Sequence, residues 1–233
     1  FCVDKMMSLS LKKTLYICHM VFDEQSAKTI AQFLLQINAI KLETHSPFTW
    51  ASGIKSPIYC DNRVILSYPA IRNHVVDDFS NAIKNKLGLP DAIIGVATGA
   101  IGIGALVANQ LGVPFAYVRP QPKSHGRKNQ VEGFIEEHAK VVVIEDLIST
   151  GKSSLEAVAA IKKSVNVTVK AVASIFDYGF QETEERFSSN HMDYYSLSNY
   201  EYLIDKAYQT SYLTEDDLNL LKKWRVDPHN WQN

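Results

Sequence analysis

Residues 141–154, VVVIEDLISTGKSS, run from a wholly apolar segment into two acids and then into a cluster of hydroxyls around one glycine. Val141, Val142, Val143 and Ile144 are consecutive β-branched residues and predict a buried strand. Glu145 and Asp146 follow where that strand should emerge, then Leu147 and Ile148, then Ser149, Thr150, Gly151, Lys152 and Ser153. A helix-forming stretch occupies 154–163. A strand, loop and helix in this order aim backbone N–H groups and a helix N-terminus the same way, so the loop reads as an anion cradle that needs no dedicated cation.

The two acids need an account of their own, because carboxylates beside a bound phosphate repel it unless something intervenes. Sugar hydroxyls do that, and so does Mg²⁺ carried by a second phosphate group. A ribose flanked by phosphates therefore fits. The plainer alternative stays open: Glu145 and Asp146 complement a helix dipole and Gly151 makes a turn. Gly151, Lys152 and Ser153 also match the end of the triphosphate-binding G-x-x-x-x-G-K-[ST] motif, but that motif requires glycine where this chain has Asp146.

The chain has 233 residues, 46% hydrophobic and 21% charged, an ordinary globular profile with room for one substantial core. Its 24 Lys and Arg against 25 Asp and Glu give a net charge of −1, so no global field draws it to nucleic acid or to a membrane surface. Cys2, Cys18 and Cys60 are odd in number and lack C-x-x-C spacing, which argues against a disulfide framework or a zinc site and for a cytoplasmic protein. No stretch approaches the roughly 20 apolar residues of a membrane span. Residues 1–22 read as a poorly defined extension. Lys12 and Lys13 before an apolar run faintly imitate an export signal, but His19 interrupts it and no cleavage pattern follows; Met20 is a candidate functional start.

From Asp23, apolar residues at steps of three and four predict a helix ending near Asn38. Residues 47–63, PFTWASGIKSPIYCDNR, predict a hairpin or small separate sheet, in which Trp50 and Tyr59 either join the core or, with Lys55, Asp61 and Arg63, form a slot for a planar anion. A helix over 68–87, a strand over 91–96, a glycine-rich loop over 97–104 opening a further helix, and a strand over 114–118 follow. Such alternation predicts an α/β fold: a mainly parallel sheet flanked by helices, with ligand at the carboxyl ends of the strands. Beyond Val118, Arg119, Lys123, His125, Arg127 and Lys128 lie in an acid-free stretch broken by Pro120, Pro122 and Gly126. It reads as a long basic loop, either solvated or a mobile lid whose cations meet a departing pyrophosphate. Residues 130–138 predict a returning hairpin bent at Gly133 and anchored by Val131, Phe134 and Ile135. A strand over 167–176 follows, then a tail of a helix after Ser198 and another capped by Thr214, packing on the segment around residue 50.

The strand, acid pair and S-T-G-K-S loop resemble the phosphoribosyl pyrophosphate (PRPP) signature of the type I phosphoribosyltransferases. F-T-W-A-S-G with S-P-I-Y-C-D-N-R, and R-P-Q-P-K-S-H-G at 119–126, resemble the hood and catalytic loop of the orotate phosphoribosyltransferases. This resemblance spans roughly residues 25–230. It implies one phosphoribosyltransferase domain over 23–233 with a small N-terminal hood at about 23–66, and transfer of ribose 5-phosphate from PRPP to orotate with Mg²⁺ carried by the pyrophosphate rather than by direct protein ligands. It further implies a homodimer that shares the loop 119–128 between subunits, with no nucleic-acid or membrane partner. By position, Lys123, His125 and Asp146 are the catalytic candidates. PRPP falls to Arg119, Lys123, His125, Glu145, Asp146, Leu147, Ile148, Ser149, Thr150, Gly151, Lys152 and Ser153, and orotate to Tyr59, Cys60 and Ser149. Ala51 and Gly99 stand where many relatives have lysine, and Tyr178 near where others place an orotate-binding arginine, so the residues that hold the orotate carboxylate stay open between Lys55 and hood amides. Two rivals remain: transfer to another base such as a purine, and a regulatory module that keeps the cradle and binds nucleic acid through the basic loop.

Overall fold

The computed structural model describes residues 21–50, 53–121 and 130–231. At its centre lies β8 (Lys140–Ile148), flanked on one side by β5 (Ala92–Val96) and on the other by β9 (Thr168–Asp177), both parallel to it. The sheet has six strands in the order β10-β9-β8-β5-β6-β7, with β6 at Phe115–Val118, β7 at Val131–Glu132 and β10 at Tyr194–Asn199. Among the described strands of this sheet, only β7 runs antiparallel to its neighbour. The predicted α/β class and mainly parallel sheet are observed.

A central parallel strand is covered on both faces, and the alternation of side chains shows how. Ile93, Val142 and Ile144 pack into one core with helices α1 (Glu24–Gln36), α2 (Pro69–Leu87), α3 (Ala100–Leu111), α6 (Tyr200–Gln209) and α7 (Glu215–Val226). Ile94, Val141 and Val143 face the other core, with α4 (Lys152–Ser164) and Phe187 of α5 (Gln181–Ser189). The helix boundaries have local causes. Asp23 accepts a hydrogen bond from the Ser26 amide and caps α1; Pro69 opens α2; Thr214 and Asp217 cap α7 reciprocally.

Before the sheet, β1 (Ile40–Leu42) pairs with β4 (Ile58–Cys60), and β2 (Phe48–Thr49) pairs with β3 (Lys55–Ser56), both antiparallel. A 3-10 helix, Asn62–Ser67, joins this small unit to α2. Val21 already bridges Ser196 on the sheet edge.

Three expectations need correction, and two elements are new. The glycine-rich loop after β5 is shorter than 97–104, since α3 starts at Ala100. The strand carrying the acids runs on to Ile148 rather than ending at them, and its helix starts at Lys152 rather than Ser154. Phe134 anchors nothing: it is 73% exposed, while Val131 and Ile135 are buried as expected. Finally, residues 194–199 are a strand and 181–189 a helix, neither of which the hydrophobic pattern shows.

Candidate active site

The carboxyl ends of β5, β6 and β8 meet at one rim of the sheet. Glu145 and Asp146, adjacent in β8, point to opposite faces. Glu145 is almost wholly buried and accepts a hydrogen bond from the Ser154 hydroxyl at 2.9 Å. Burial, and then the neighbouring charge of Asp146, push its pKa up to about 8. Asp146 lies over the loop that follows β5: a Cβ on Gly99 would stand 2.0 Å from its Oδ2. Burial raises the Asp146 pKa too, while the Arg63 guanidinium draws it down. Leu147 is half-buried and Ile148 buried, so the chain is anchored immediately before the hydroxyl-rich loop.

That loop stays at the rim. Ser149 and Thr150 are half-buried, Lys152 and Ser153 exposed. Gly151 has φ +72°, and a Cβ there would meet Phe187 at 2.6 Å, so both backbone and space call for glycine. Helix α4 begins one residue later, and its first N–H groups have no intrahelical partner. The exposed Lys152 ammonium pairs with Glu156 at 4.0 Å.

The small antiparallel unit reaches this rim through its side chains. Asn62 donates from Nδ2 to the Asp146 carbonyl at 2.6 Å, and the Cys60 thiol donates to Asn62 Oδ1 at 3.3 Å. Burial raises the Cys60 pKa well above the usual thiol range, with Asp146 and Asp61 adding to it. Tyr59 is 42% exposed and leans on Phe48, whereas Trp50 packs against Tyr178 and Trp224. The two readings of those aromatics therefore divide: Trp50 is core, and Tyr59 is free to present a ring face. Arg63 pairs with Asp61 through Nε at 2.6 Å and Nη2 at 2.8 Å, and its charge is felt at Asp146 and Tyr59. Lys55, by contrast, donates to Thr49 within its own hairpin.

Arg119 pairs with Glu132 at 3.5 Å, and its N–H donates to the Gln130 carbonyl, closing a stem at the base of the basic loop. A cavity of about 180 Å³ lies beside this stem, lined by Val96, Ala97, Arg119, Gln130 and Ser153 among others. Lys123 and His125 lie outside the described residues. Glu145, Asp146, the 149–153 loop, Tyr59, Cys60 and Arg119 thus gather along one rim. Asn62, which links hood and signature strand, had no role in the sequence reading; a lone amide between an acid and an arginine carries no signal of a long-range contact.

A profile of the phosphoribosyl transferase domain matches residues 64–201. The orotate phosphoribosyltransferase of Phocaeicola vulgatus is 51% identical over 205 residues, covering 88% of this chain and 96% of that protein. The chain belongs to the orotate phosphoribosyltransferase family. A family member from Enterococcus faecalis is 47% identical over 205 residues, covering 88% of this chain and 97% of its own. Among solved structures, the orotate phosphoribosyltransferase from Aeropyrum pernix matches with a TM-score of 0.68 at 26% identity, over 79% of this chain and 99% of that one. A Leishmania donovani UMP synthase matches with a TM-score of 0.72 at 22% identity, over 85% of this chain; the chain spans 42% of that protein's length, and the likeness there is one of fold.

Among the described residues no group of three or more His, Cys, Asp or Glu side chains is placed to hold a metal ion. Mg²⁺ takes six oxygens in a tight octahedron, and at this rim Glu145 and Asp146 supply only carboxylates that face apart. That donor set leaves most of such a shell to be filled by oxygens from elsewhere.

Proposed function

We propose that the chain transfers the 5-phosphoribosyl group of PRPP to N1 of orotate, yielding orotidine 5′-monophosphate and pyrophosphate, in the cytoplasmic synthesis of pyrimidines. The C1–O bond breaks with its electron pair leaving on pyrophosphate; N1 supplies the pair for the new C1–N bond and gives up its proton. Positive charge grows on the sugar and negative charge on the leaving group, so positioning and charge stabilisation carry the catalysis.

In this reading Asp146 accepts hydrogen bonds from the ribose hydroxyls while Glu145, almost wholly buried on the opposite face and held by Ser154, fixes the strand end behind it, and the amides and hydroxyls of Ser149–Ser153 take the 5-phosphate. Lys123 and His125 meet the pyrophosphate as the 119–128 loop of one subunit reaches the site of the next in a homodimer, with Arg119 supporting them. When bound with PRPP, Mg²⁺ would supply positive charge beside the pyrophosphate, held there by the substrate's own oxygens. Tyr59 and Cys60 flank orotate, with Ser149 at its edge. Arg63 takes the orotate carboxylate: it is exposed at the same rim, already oriented by Asp61, whereas Lys55 is turned to Thr49.

The observation that carries this reading is the acid pair at the end of β8 with the hydroxyl loop directly beyond it, in a chain about half identical to orotate phosphoribosyltransferases along most of its length. The test is the loss of orotate absorbance on adding PRPP, with and without Mg²⁺. Consumption of a purine in place of orotate, or no dependence on PRPP, would overturn it. Arg63→Ala should raise the KM for orotate by about tenfold and the KM for PRPP much less, since a charged hydrogen-bond partner of one substrate alone is removed.

A further inference from the structure

The hydroxyl-rich loop is held from behind by a helix that the sequence conceals. Three successive carbonyls at the end of β8 are taken from the side of β9 and α5. The Tyr178 amide donates to the Ile148 carbonyl at 3.0 Å, the Thr183 hydroxyl donates to the Ser149 carbonyl, and Arg186 Nη1 donates to the Thr150 carbonyl at 2.9 Å. Arg186 is itself aimed by Glu182, which receives Nη2 at 3.3 Å. Phe187, one residue further on, occupies the space above Gly151 and stacks on Tyr194 at 4.3 Å.

In a planar trans peptide the C=O and N–H point opposite ways. Drawing the Ser149 and Thr150 carbonyls toward α5 therefore turns the N–H groups of Thr150 and Gly151 away from it, to the open side of the loop. Neither amide has a backbone partner among the described residues. A hydrogen bond to a carbonyl also polarises its peptide group, and a guanidinium does so more strongly than a neutral donor, which makes the N–H beyond it a better anion ligand.

We propose that Thr183 and Arg186 are positioning residues for the 5-phosphate of PRPP: they set the direction and donor strength of the loop amides without touching the ligand. This rests on the functional reading above for the identity of the ligand. Arginine suits the role because its fork bonds Thr150 with one arm and Glu182 with the other, a geometry one ammonium cannot reproduce.

The test uses the intact protein and two anions that separate the ends of the substrate, ribose 5-phosphate and inorganic pyrophosphate, each titrated by calorimetry. Arg186→Ala should weaken ribose 5-phosphate about tenfold and raise the KM for PRPP to match, while pyrophosphate affinity, the KM for orotate and kcat move by less than about twofold. Arg186→Lys should recover part of the loss. Thr183→Val, which keeps the volume and removes the hydroxyl, should weaken ribose 5-phosphate about threefold, and Thr183→Ser should restore it. Unchanged ribose 5-phosphate affinity in folded Arg186→Ala, or equal weakening of both anions together with a fall in kcat, overturns the assignment. If Arg186→Ala does not fold, Arg186→Lys and Thr183→Val decide by the same comparison. Binding requires no turnover, so a wild-type protein that takes ribose 5-phosphate yet never consumes orotate would refute the proposed reaction while leaving this assignment to stand or fall on the variants.

Discussion

At Glu145 burial works against charge. Its pKa is about 8 in the folded protein and near 4.5 once solvated. Between those values the folded state keeps a proton that the unfolded state has lost, so its contribution to stability is intact below about pH 4.5 and is lost as pH rises through about 8. Glu145→Gln should flatten that dependence. Urea titrations should show it about 1–3 kcal/mol more stable relative to wild type at pH 8.5 than at pH 4.5, and PRPP turnover should fall. Gly99 makes a different point. The family resemblance implies only that a lysine common in relatives is missing; the fold shows that the Asp146 carboxylate fills the space above the Gly99 backbone. Gly99→Ala should displace that carboxylate, lowering kcat/KM by about tenfold or more while the melting temperature shifts by only a few degrees, as overpacking of an open rim predicts. No local pattern could have revealed the contact, because it joins residues from two strands' ends.

Helix α7 ties the tail to the hood. Trp224 packs among Trp50, Tyr178, Phe180 and Tyr200, and its Nε1 donates to the Lys55 carbonyl at 3.0 Å. Trp224→Ala should cost about 3–5 kcal/mol in chemical denaturation, and in protein that remains folded it should loosen the hood, so that the KM for orotate rises more than that for PRPP. The acidic first turn, the capping threonine and the apolar stripe made this helix legible in advance, and a packing role against the hood was expected. Strand β10 was not legible, because Ser196, Ser198 and Asn199 are polar yet buried; the Ser198 hydroxyl, for one, donates to the Ala27 carbonyl. Helix α5 was hidden for the opposite reason. Its sequence QETEERFSS buries only Thr183 and Phe187, too few to mark a face. Hydrophobic periodicity reports burial by apolar side chains, and both elements are positioned largely by polar contacts. The signature strand stood out because every one of its first residues after Lys140 is apolar and covered.

For the whole molecule, the proposed homodimer makes a site out of two chains. If Lys123 serves the neighbouring subunit, mixing inactive Lys123→Ala with inactive Asp146→Asn protein should restore activity, since half of the reassorted dimers contain one site with both native groups. An equal mixture should reach about a quarter of wild-type turnover, and no recovery after subunit exchange would show that the loop acts within its own chain. The stem that joins Arg119 to Gln130 bears on this arrangement. Because the two ends of the intervening stretch are fastened to each other, the sheet does not depend on what is strung between them. The length and composition of residues 120–129 can therefore change while the scaffold keeps its shape, which makes this stretch the natural place for evolution, or an inserted reporter group, to retune the rim without disturbing how the sheet folds.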